Sequence, residues 1–159
     1  MVTLCVPEVG FADEMSVVIG DRAPHDRCMR LQHLLRPRSI AVVGATDRTF
    51  IGRVALTNCV ERGFDGTVVP VSRRAQVAGL SAVSSLEEMA APVDLALVQV
   101  RAESVLDIVT RGVAAGVRGF VIPGAGYTDS AQTAIALMSG LQDLRRNYEF
   151  DVVGPNCMG

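Results

Sequence analysis

From Ser39 onward, short apolar runs alternate with longer stretches of helical periodicity. Five runs predict strands, at residues 39–44, 67–71, 94–100, 118–122 and 151–153. Helices are predicted at 52–62, at 103–115 and from 129 or 130 to about 148, with a short helix capped by Ser84 or Ser85. Continuous apolar strands are typical of parallel sheets covered on both faces. The pattern therefore predicts an α/β, Rossmann-like fold: a five-stranded parallel sheet with helices on both faces.

The first 35 residues differ from the rest, because prolines and glycines interrupt them and charges crowd together. We interpret residues 1–35 as a leader, flexible or of short irregular structure, and residues 36–159 as the Rossmann-like domain. A length of 159 residues suits one hydrophobic core.

The loop after the first predicted strand is a candidate phosphate site. Ligands on such sheets bind at the carboxyl ends of the strands, where backbone N–H groups and a helix dipole favour anions. The candidate residues are Gly44, Ala45, Thr46, Arg48 and Thr49. The loop lacks the GxGxxG spacing of a dinucleotide site, so a purely structural turn explains it equally well.

The second predicted strand ends in Ser72-Arg73-Arg74. A NAD site would place an acidic residue here to bind the ribose hydroxyl. Two arginines instead favour a ribose that carries an extra phosphate. NADP and coenzyme A (CoA) both fit this description, and a solvated basic pair is the alternative without a ligand.

Two further segments follow predicted strands at the same edge of the sheet. Pro123, Gly124, Ala125 and Gly126 follow the fourth strand, where the two glycines let the backbone approach a ligand closely. Asn156 and Cys157 follow the fifth strand.

Composition narrows the chemistry. The chain contains no lysine, which excludes a P-loop, a lysine Schiff base and the protein-kinase scheme. A net charge of -2 argues against binding to nucleic acid or a membrane surface. We expect no signal peptide, no membrane span and no metal site, and the cysteines, which form no CxxC pair, predict free thiols in the cytoplasm.

Several segments together resemble the CoA-binding domain of NDP-forming acyl-CoA synthetases, which are relatives of the succinyl-CoA synthetase alpha subunit. The same domain is found in ligase-fused protein acetyltransferases. The segments are 36–46 (RPRSIAVVGAT), 69–74 (VPVSRR, where the family has YPVNPK), 116–119 (GVRG, where the family has AGVKG) and 154–159 (GPNCMG, where the family has GPNCLG). The resemblance covers about residues 34–159.

The resemblance implies CoA as the cofactor and assigns roles to the candidate residues. The loop from Gly44 to Thr49 would hold the CoA phosphates, and Arg74 stands in place of the family lysine that faces the nucleotide phosphate. Val100 would line the pantetheine channel. Residues 123–126 would contact CoA near its reactive end, with Cys157 close to the thiol; Ser72 and Asn156 belong to the same expected site.

Three residues depart from the family pattern: Arg73, Arg101 and Pro123. Arg101 replaces a common proline, and we expect it either to narrow the channel or to add a phosphate contact. Each departure bears on CoA affinity.

The resemblance also implies that this chain alone is not a complete enzyme. In the family, catalysis uses a phosphohistidine and an ATP-grasp module on other domains, which would bind ATP or ADP. We expect such ligase domains as partners, either in cis or in trans. The GPNCMG ending favours a domain excised from a longer protein. Homo-oligomerisation is left open. The alternatives are an NADP-type oxidoreductase domain, which would lack a Tyr-x-x-x-Lys motif here, and a CoA-sensing regulatory module of an acetyltransferase.

Overall fold

The predicted alternation of strands and helices is present in the structure, a computed structural model that describes residues 31–47, 50–124 and 131–155. The helices are α1 (Gln32–Leu35), α2 (Phe50–Glu61), α3 (Ala102–Ala114) and α4 (Ala131–Asn147). The strands are β1 (Ser39–Val43), β2 (Thr67–Val71), β3 (Gln76–Val77), β4 (Leu80–Ser81), β5 (Leu95–Val98), β6 (Gly119–Val121) and β7 (Asp151–Val153). A single 3-10 turn spans Leu86–Glu88.

Five strands form one parallel sheet in the order β2-β1-β5-β6-β7. The strand order reverses between β1 and β5, because the chain first adds β2 on one side of β1 and then crosses to the other. The register is regular there: Val42 lies opposite Pro70 of β2 and Leu97 of β5. Open α/β sheets bind ligands outside such a reversal point.

Helices cover both faces of the sheet, as the sequence predicts. On one face, Ala41 and Phe120 pack with Val105 and Val109 of α3, and all four are fully buried. The i, i+4 spacing of the two valines gives α3 its apolar stripe. Burying each large apolar side chain contributes about 1.5–3 kcal/mol.

The other face is anchored by Leu56 of α2, which is fully buried against Val42 and Val77. The helical spacing of Val54, Ala55, Asn58 and Cys59 predicts an inner face of this helix that does not include Leu56. Asn58 is exposed. Among the described side chains of α2, fewer apolar residues are buried than the sequence suggests.

A small antiparallel hairpin of β3 and β4 lies between β2 and β5 in the sequence, and no pattern predicted it. Its two-residue turn is Ala78-Gly79, with φ of 51° and 78°. Positive φ at both turn residues is the geometry of a type I′ hairpin, which usually carries Asn-Gly. Because Ala78 occupies the first turn position in place of asparagine, the sequence lacks the Asn-Gly pattern that predicts such a hairpin.

The predicted short helix is present only as the 3-10 turn, and its cap differs from the prediction. The side chain of Ser85 makes no capping hydrogen bond. Ser84 instead donates its backbone N–H and its hydroxyl to the carboxylate of Glu88. The carboxylate of Glu88 thus connects the last residue of the turn to Ser84, just before the turn.

Asp94 holds the amino ends of the strands together. Its carboxylate accepts a hydrogen bond from the backbone N–H of Arg38 (2.7 Å), and His33 Nδ1 lies 3.3 Å from the other carboxylate oxygen. The backbone N–H of Asp94 donates to Ser39 Oγ (2.9 Å). The contacts join α1, the start of β1 and the start of β5.

Among the described residues, no helix combines the length and the apolar character needed to cross a bilayer. Of the leader predicted over residues 1–35, residues 1–30 lie outside the described residues, and residues 31–35 contain the short helix α1.

We predict that Gly44→Ala destabilises the protein by about 3 kcal/mol or more, from the cost of a left-handed backbone plus overpacking. Gly44 has φ of 81°, and a Cβ there would lie 2.2 Å from the backbone oxygen of Gln99. The matched control is Gly63→Ala, where φ is 73° and no atom lies within 4 Å of the added Cβ. The control should cost about 1–2 kcal/mol, for the backbone alone. Equal losses in urea unfolding would contradict the close approach at Gly44.

We also predict that Asp94 contributes a pH-dependent part of the stability. Burial opposes its ionisation, but the hydrogen bonds from Arg38 and His33 outweigh burial and hold the pKa of Asp94 below its ordinary value. The stabilisation is therefore present above the ordinary Asp pKa and is lost as the pH falls from there through the folded-state pKa. Asp94→Asn should lower the free energy of unfolding by about 1–2 kcal/mol at pH 7 and flatten its decline in acid. Asp65→Asn, which removes an exposed carboxylate, controls for net charge. Parallel pH curves for Asp94→Asn and the wild type would disprove this role.

Candidate functional site

A cavity of about 440 Å³ opens at the carboxyl ends of β1 and β2, beside the end of β5. It lies at the point where the strand order reverses. Three stretches of chain line it: the loop of Gly44–Thr46 after β1, the turn of Ser72–Arg74 after β2, and the segment of Ser84–Glu87. Val100, Ile108 and Arg111 close the remaining side.

The structure brings together six of the residues predicted from the sequence to bind a ligand. Gly44, Ala45, Thr46, Ser72, Arg74 and Val100 all line the cavity. Pro123 is buried and Gly124 exposed after β6, one strand further along the sheet, and neither lines it. The other predicted residues lie outside the described residues: Arg48, Thr49, Ala125, Gly126, Asn156 and Cys157.

Gly44 determines how the chain leaves β1. Its N–H donates to the carbonyl of Val71 at 3.1 Å, while the N–H of Gln99 donates to the carbonyl of Val43 at 2.9 Å. The loop is thus held to β2 on one side and to β5 on the other. The missing side chain lets the backbone of Gly44 pass directly against that of Gln99.

Arg74 is positioned by two neighbours. Its backbone N–H donates to Ser72 Oγ (3.3 Å), and its guanidinium lies 3.6 Å from a carboxylate oxygen of Asp47. The other carboxylate oxygen of Asp47 accepts the N–H of Ala78 (2.9 Å). Both charged side chains are about half exposed, at 52% and 46%, so the pair contributes at most about 1 kcal/mol. Asp47 therefore orients Arg74 at low cost, and a ligand phosphate can compete for the guanidinium.

The far wall of the cavity contains an ion pair that the sequence did not indicate. Arg111 of α3 donates to Glu87 and also lies 3.5 Å from Asp107. The hydrogen bond from Arg111 is the main reason why the pKa of Glu87 lies below its ordinary value. Glu87 and Arg111 are 24 positions apart in the sequence and belong to different elements, so no local sequence pattern indicates that they pair.

The cavity presents guanidinium groups to a ligand. Three arginines line it (Arg73, Arg74 and Arg111) together with the carboxylate of Glu87, while Asp47 and Asp107 lie beside Arg74 and Arg111. Apolar side chains form the rest of the wall: Val43, Val71, Leu86, Val100 and Ile108. A lining of this kind fits a phosphorylated ligand that also carries an apolar part.

In the part of the chain that the structure describes, no group of three or more His, Cys, Asp or Glu residues could hold a metal ion. Cys59 lies on α2, away from the cavity, and burial raises the pKa of its thiol. Neither feature adds to the chemistry of the site.

Comparison with protein families and known proteins shows the family to which this domain belongs. Residues 38–159 match the family model described as a CoA binding domain. The chain is 32% identical over 131 residues to the alpha subunit of an ADP-forming acetate–CoA ligase from Pyrococcus furiosus, covering 81% of this chain and 28% of that protein. It is 30% identical over 132 residues to a trans-feruloyl-CoA synthase of an unknown prokaryote, covering 82% of this chain and 19% of that protein.

Among solved structures, the chain resembles acetyl-coenzyme A synthetase 1 of Candidatus Korarchaeum cryptofilum, described as dinucleotide-forming. The TM-score is 0.68 at 29% identity, over 81% of this chain and 28% of that one. The chain thus spans less than a third of the length of these relatives. The family model covers all five parallel strands and every described residue that lines the cavity. The chain therefore belongs to the CoA-binding domain family, and it is similar to that part of the ADP-forming acyl-CoA ligases.

Proposed function

We propose that the domain binds coenzyme A in the cavity beside β1, β2 and β5. The observation that carries the proposal is the meeting of the Gly44 loop with the Arg74 turn in one cationic cavity. Two separate phosphate-directed features are what CoA requires, since it carries a diphosphate and a phosphate on its ribose.

The geometry suggests how CoA would lie. The diphosphate would face the backbone of residues 44–46, where N–H groups favour anions. The 3′-phosphate would face Arg74, since a guanidinium binds phosphate through a fork of two donors. Val100 and Ile108 offer apolar contacts to the pantetheine arm.

Arg101 departs from the family pattern, and the sequence left two possible effects on the site open. Arg101 does not line the cavity. Its side chain is 89% exposed and lies 3.8 Å from Glu103 in the first turn of α3. The side chain of Arg101 therefore faces solvent. Arg73 does line the cavity and adds positive charge beside Arg74.

We further propose that the domain works with ligase partners and does not form acyl-CoA by itself. The relatives named above are CoA ligases and synthetases, and this chain spans only 19–28% of their length. The acid-activating histidine and the ATP-grasp module would lie on those partners, in cis or in trans. We infer the cytoplasm as the place of action, as the free-thiol pattern predicts.

Calorimetric titration with CoA, dephospho-CoA and NADP tests the proposal. The wild-type domain should bind CoA most tightly and NADP weakly or not at all. Arg74→Ala should weaken CoA about tenfold, the effect of one charge-assisted hydrogen bond, and should change dephospho-CoA little. Arg118→Ala is the matched control, because it removes an exposed arginine that lies just before β6, at the amino ends of the strands and away from the cavity.

Two results would count against the proposal. Binding of NADP without binding of CoA would assign the cavity to the oxidoreductase alternative. Equal losses of CoA and dephospho-CoA affinity in Arg74→Ala would remove Arg74 from the 3′-phosphate.

A further inference from the structure

Glu87 is the one acidic residue among the described residues that line the cavity. Its side chain is 42% exposed, so a ligand in the cavity can reach the carboxylate. The hydrogen bond from Arg111 holds the pKa of Glu87 below its ordinary value, which keeps the carboxylate ionised at neutral pH. An ionised carboxylate only accepts hydrogen bonds and has about four acceptor positions, so the contact with Arg111 leaves room for a second donor. This carboxylate therefore repels a phosphate and attracts a neutral N–H group.

The segment of residues 84–87 is fixed beside the turn after β2. The backbone N–H of Val83 donates to the carbonyl of Pro70 (3.1 Å), and the N–H of Ser72 donates to the carbonyl of Val83 (2.9 Å). These two hydrogen bonds hold the start of the segment against the end of β2. The wall formed by residues 84–87 thus adjoins the turn that carries Arg74, and both line the same cavity.

Helix α3 packs closely on the same segment and supplies Arg111. Gly112 makes the close packing possible, because a Cβ at this position would lie 2.9 Å from Leu86 Cδ1. Leu86 is only 5% exposed and belongs to the core, so the segment is anchored there. Arg111 donates to Glu87 and also lies 3.5 Å from Asp107, one turn earlier on α3. The carboxylate of Glu87 is therefore oriented by a helix that is packed against its own segment.

The chemistry of CoA indicates which of its groups meets this carboxylate. In the proposed placement, the 3′-phosphate lies at Arg74 and the diphosphate lies at the backbone of residues 44–46. The base is attached to the same ribose, and the wall of residues 84–87 is left for it. Adenine carries an exocyclic amino group, which is a hydrogen-bond donor. The ribose 2′-hydroxyl is a donor too, but it is next to the phosphorylated carbon, where a carboxylate would repel the 3′-phosphate.

We propose that Glu87 is a specificity-determining residue whose carboxylate accepts a hydrogen bond from the exocyclic amino group of the adenine of CoA. Arg111 is the positioning residue that orients this carboxylate. The inference rests on the proposed CoA binding and extends it from the phosphates to the base. A base with a carbonyl oxygen in place of the amino group, such as guanine, would bring an acceptor against the carboxylate and bind more weakly.

Calorimetric titration with CoA and with 6-desamino-CoA, an analogue whose purine base lacks the amino group, tests the proposal. The wild type should bind CoA about tenfold more tightly than the analogue, the effect of one hydrogen bond to a charged group. Glu87→Met keeps the length of the side chain and removes the acceptor. It should bind CoA about tenfold less tightly than the wild type and should no longer distinguish the two ligands. Glu61→Met, at the exposed last residue of α2, is the matched control and should keep both wild-type affinities.

Conservative variants separate direct contact from a structural role. Glu87→Gln keeps an acceptor oxygen and should retain most of the preference for CoA over the analogue. Arg111→Lys keeps a cation beside the carboxylate and should retain the preference, whereas Arg111→Met should lose part of it. An unchanged preference in Arg111→Met would remove Arg111 as the positioning residue.

The outcomes separate this proposal from the proposed function. Failure of the wild type to bind CoA overturns the proposed function. Equal affinity of the wild type for CoA and 6-desamino-CoA overturns the role of Glu87 and leaves CoA binding in place, and this comparison needs no variant to fold. Equal losses of both ligands in Glu87→Met also overturn it, because the carboxylate would then act at the ribose or on the shape of the cavity.

Discussion

The close passage of Gly44 over the end of β5 is the constraint on which the rest of the site depends. A side chain at this position would meet the carbonyl of Gln99 at 2.2 Å. Because glycine removes that contact, β1 can keep its pairing with both β2 and β5 and still release a loop above the crevice between them. The cavity and the Arg74 turn both border this one crossing.

The two ends of the sheet have different physical characters. At the amino ends, Asp94 joins α1, β1 and β5 through paired polar groups, so this end is internally satisfied. At the carboxyl ends, two of the three arginines that line the cavity contact carboxylates: Arg74 contacts Asp47, and Arg111 contacts Glu87 and Asp107. These guanidinium groups are able to bind an anionic ligand.

Much of this could be predicted from the sequence, because it depends on periodicity. All five strands of the main sheet lie within two residues of their predicted bounds, since buried parallel strands leave continuous apolar runs. The place of Arg74 at the cavity could be predicted because the residue follows β2 at the carboxyl edge of the sheet. The ion pair of Arg111 with Glu87, and the contact of Asp47 with Arg74, join residues that are distant in sequence. Such pairs depend on tertiary packing, and no local pattern encodes them.

The absence of lysine has a narrower meaning once the site is known. The resemblance implies that Arg74 stands where the family has a lysine, and we propose that its planar fork binds a phosphate while Asp47 lies 3.6 Å from the guanidinium. The most direct test of the account is a titration of the ¹⁵N-labelled domain with CoA, followed by backbone amide shifts. The account predicts that the largest changes fall at residues 44–47, 72–74 and 99–100, with little change around Asp94. Changes centred on the Asp94 end of the sheet, or no changes at millimolar CoA, would contradict it.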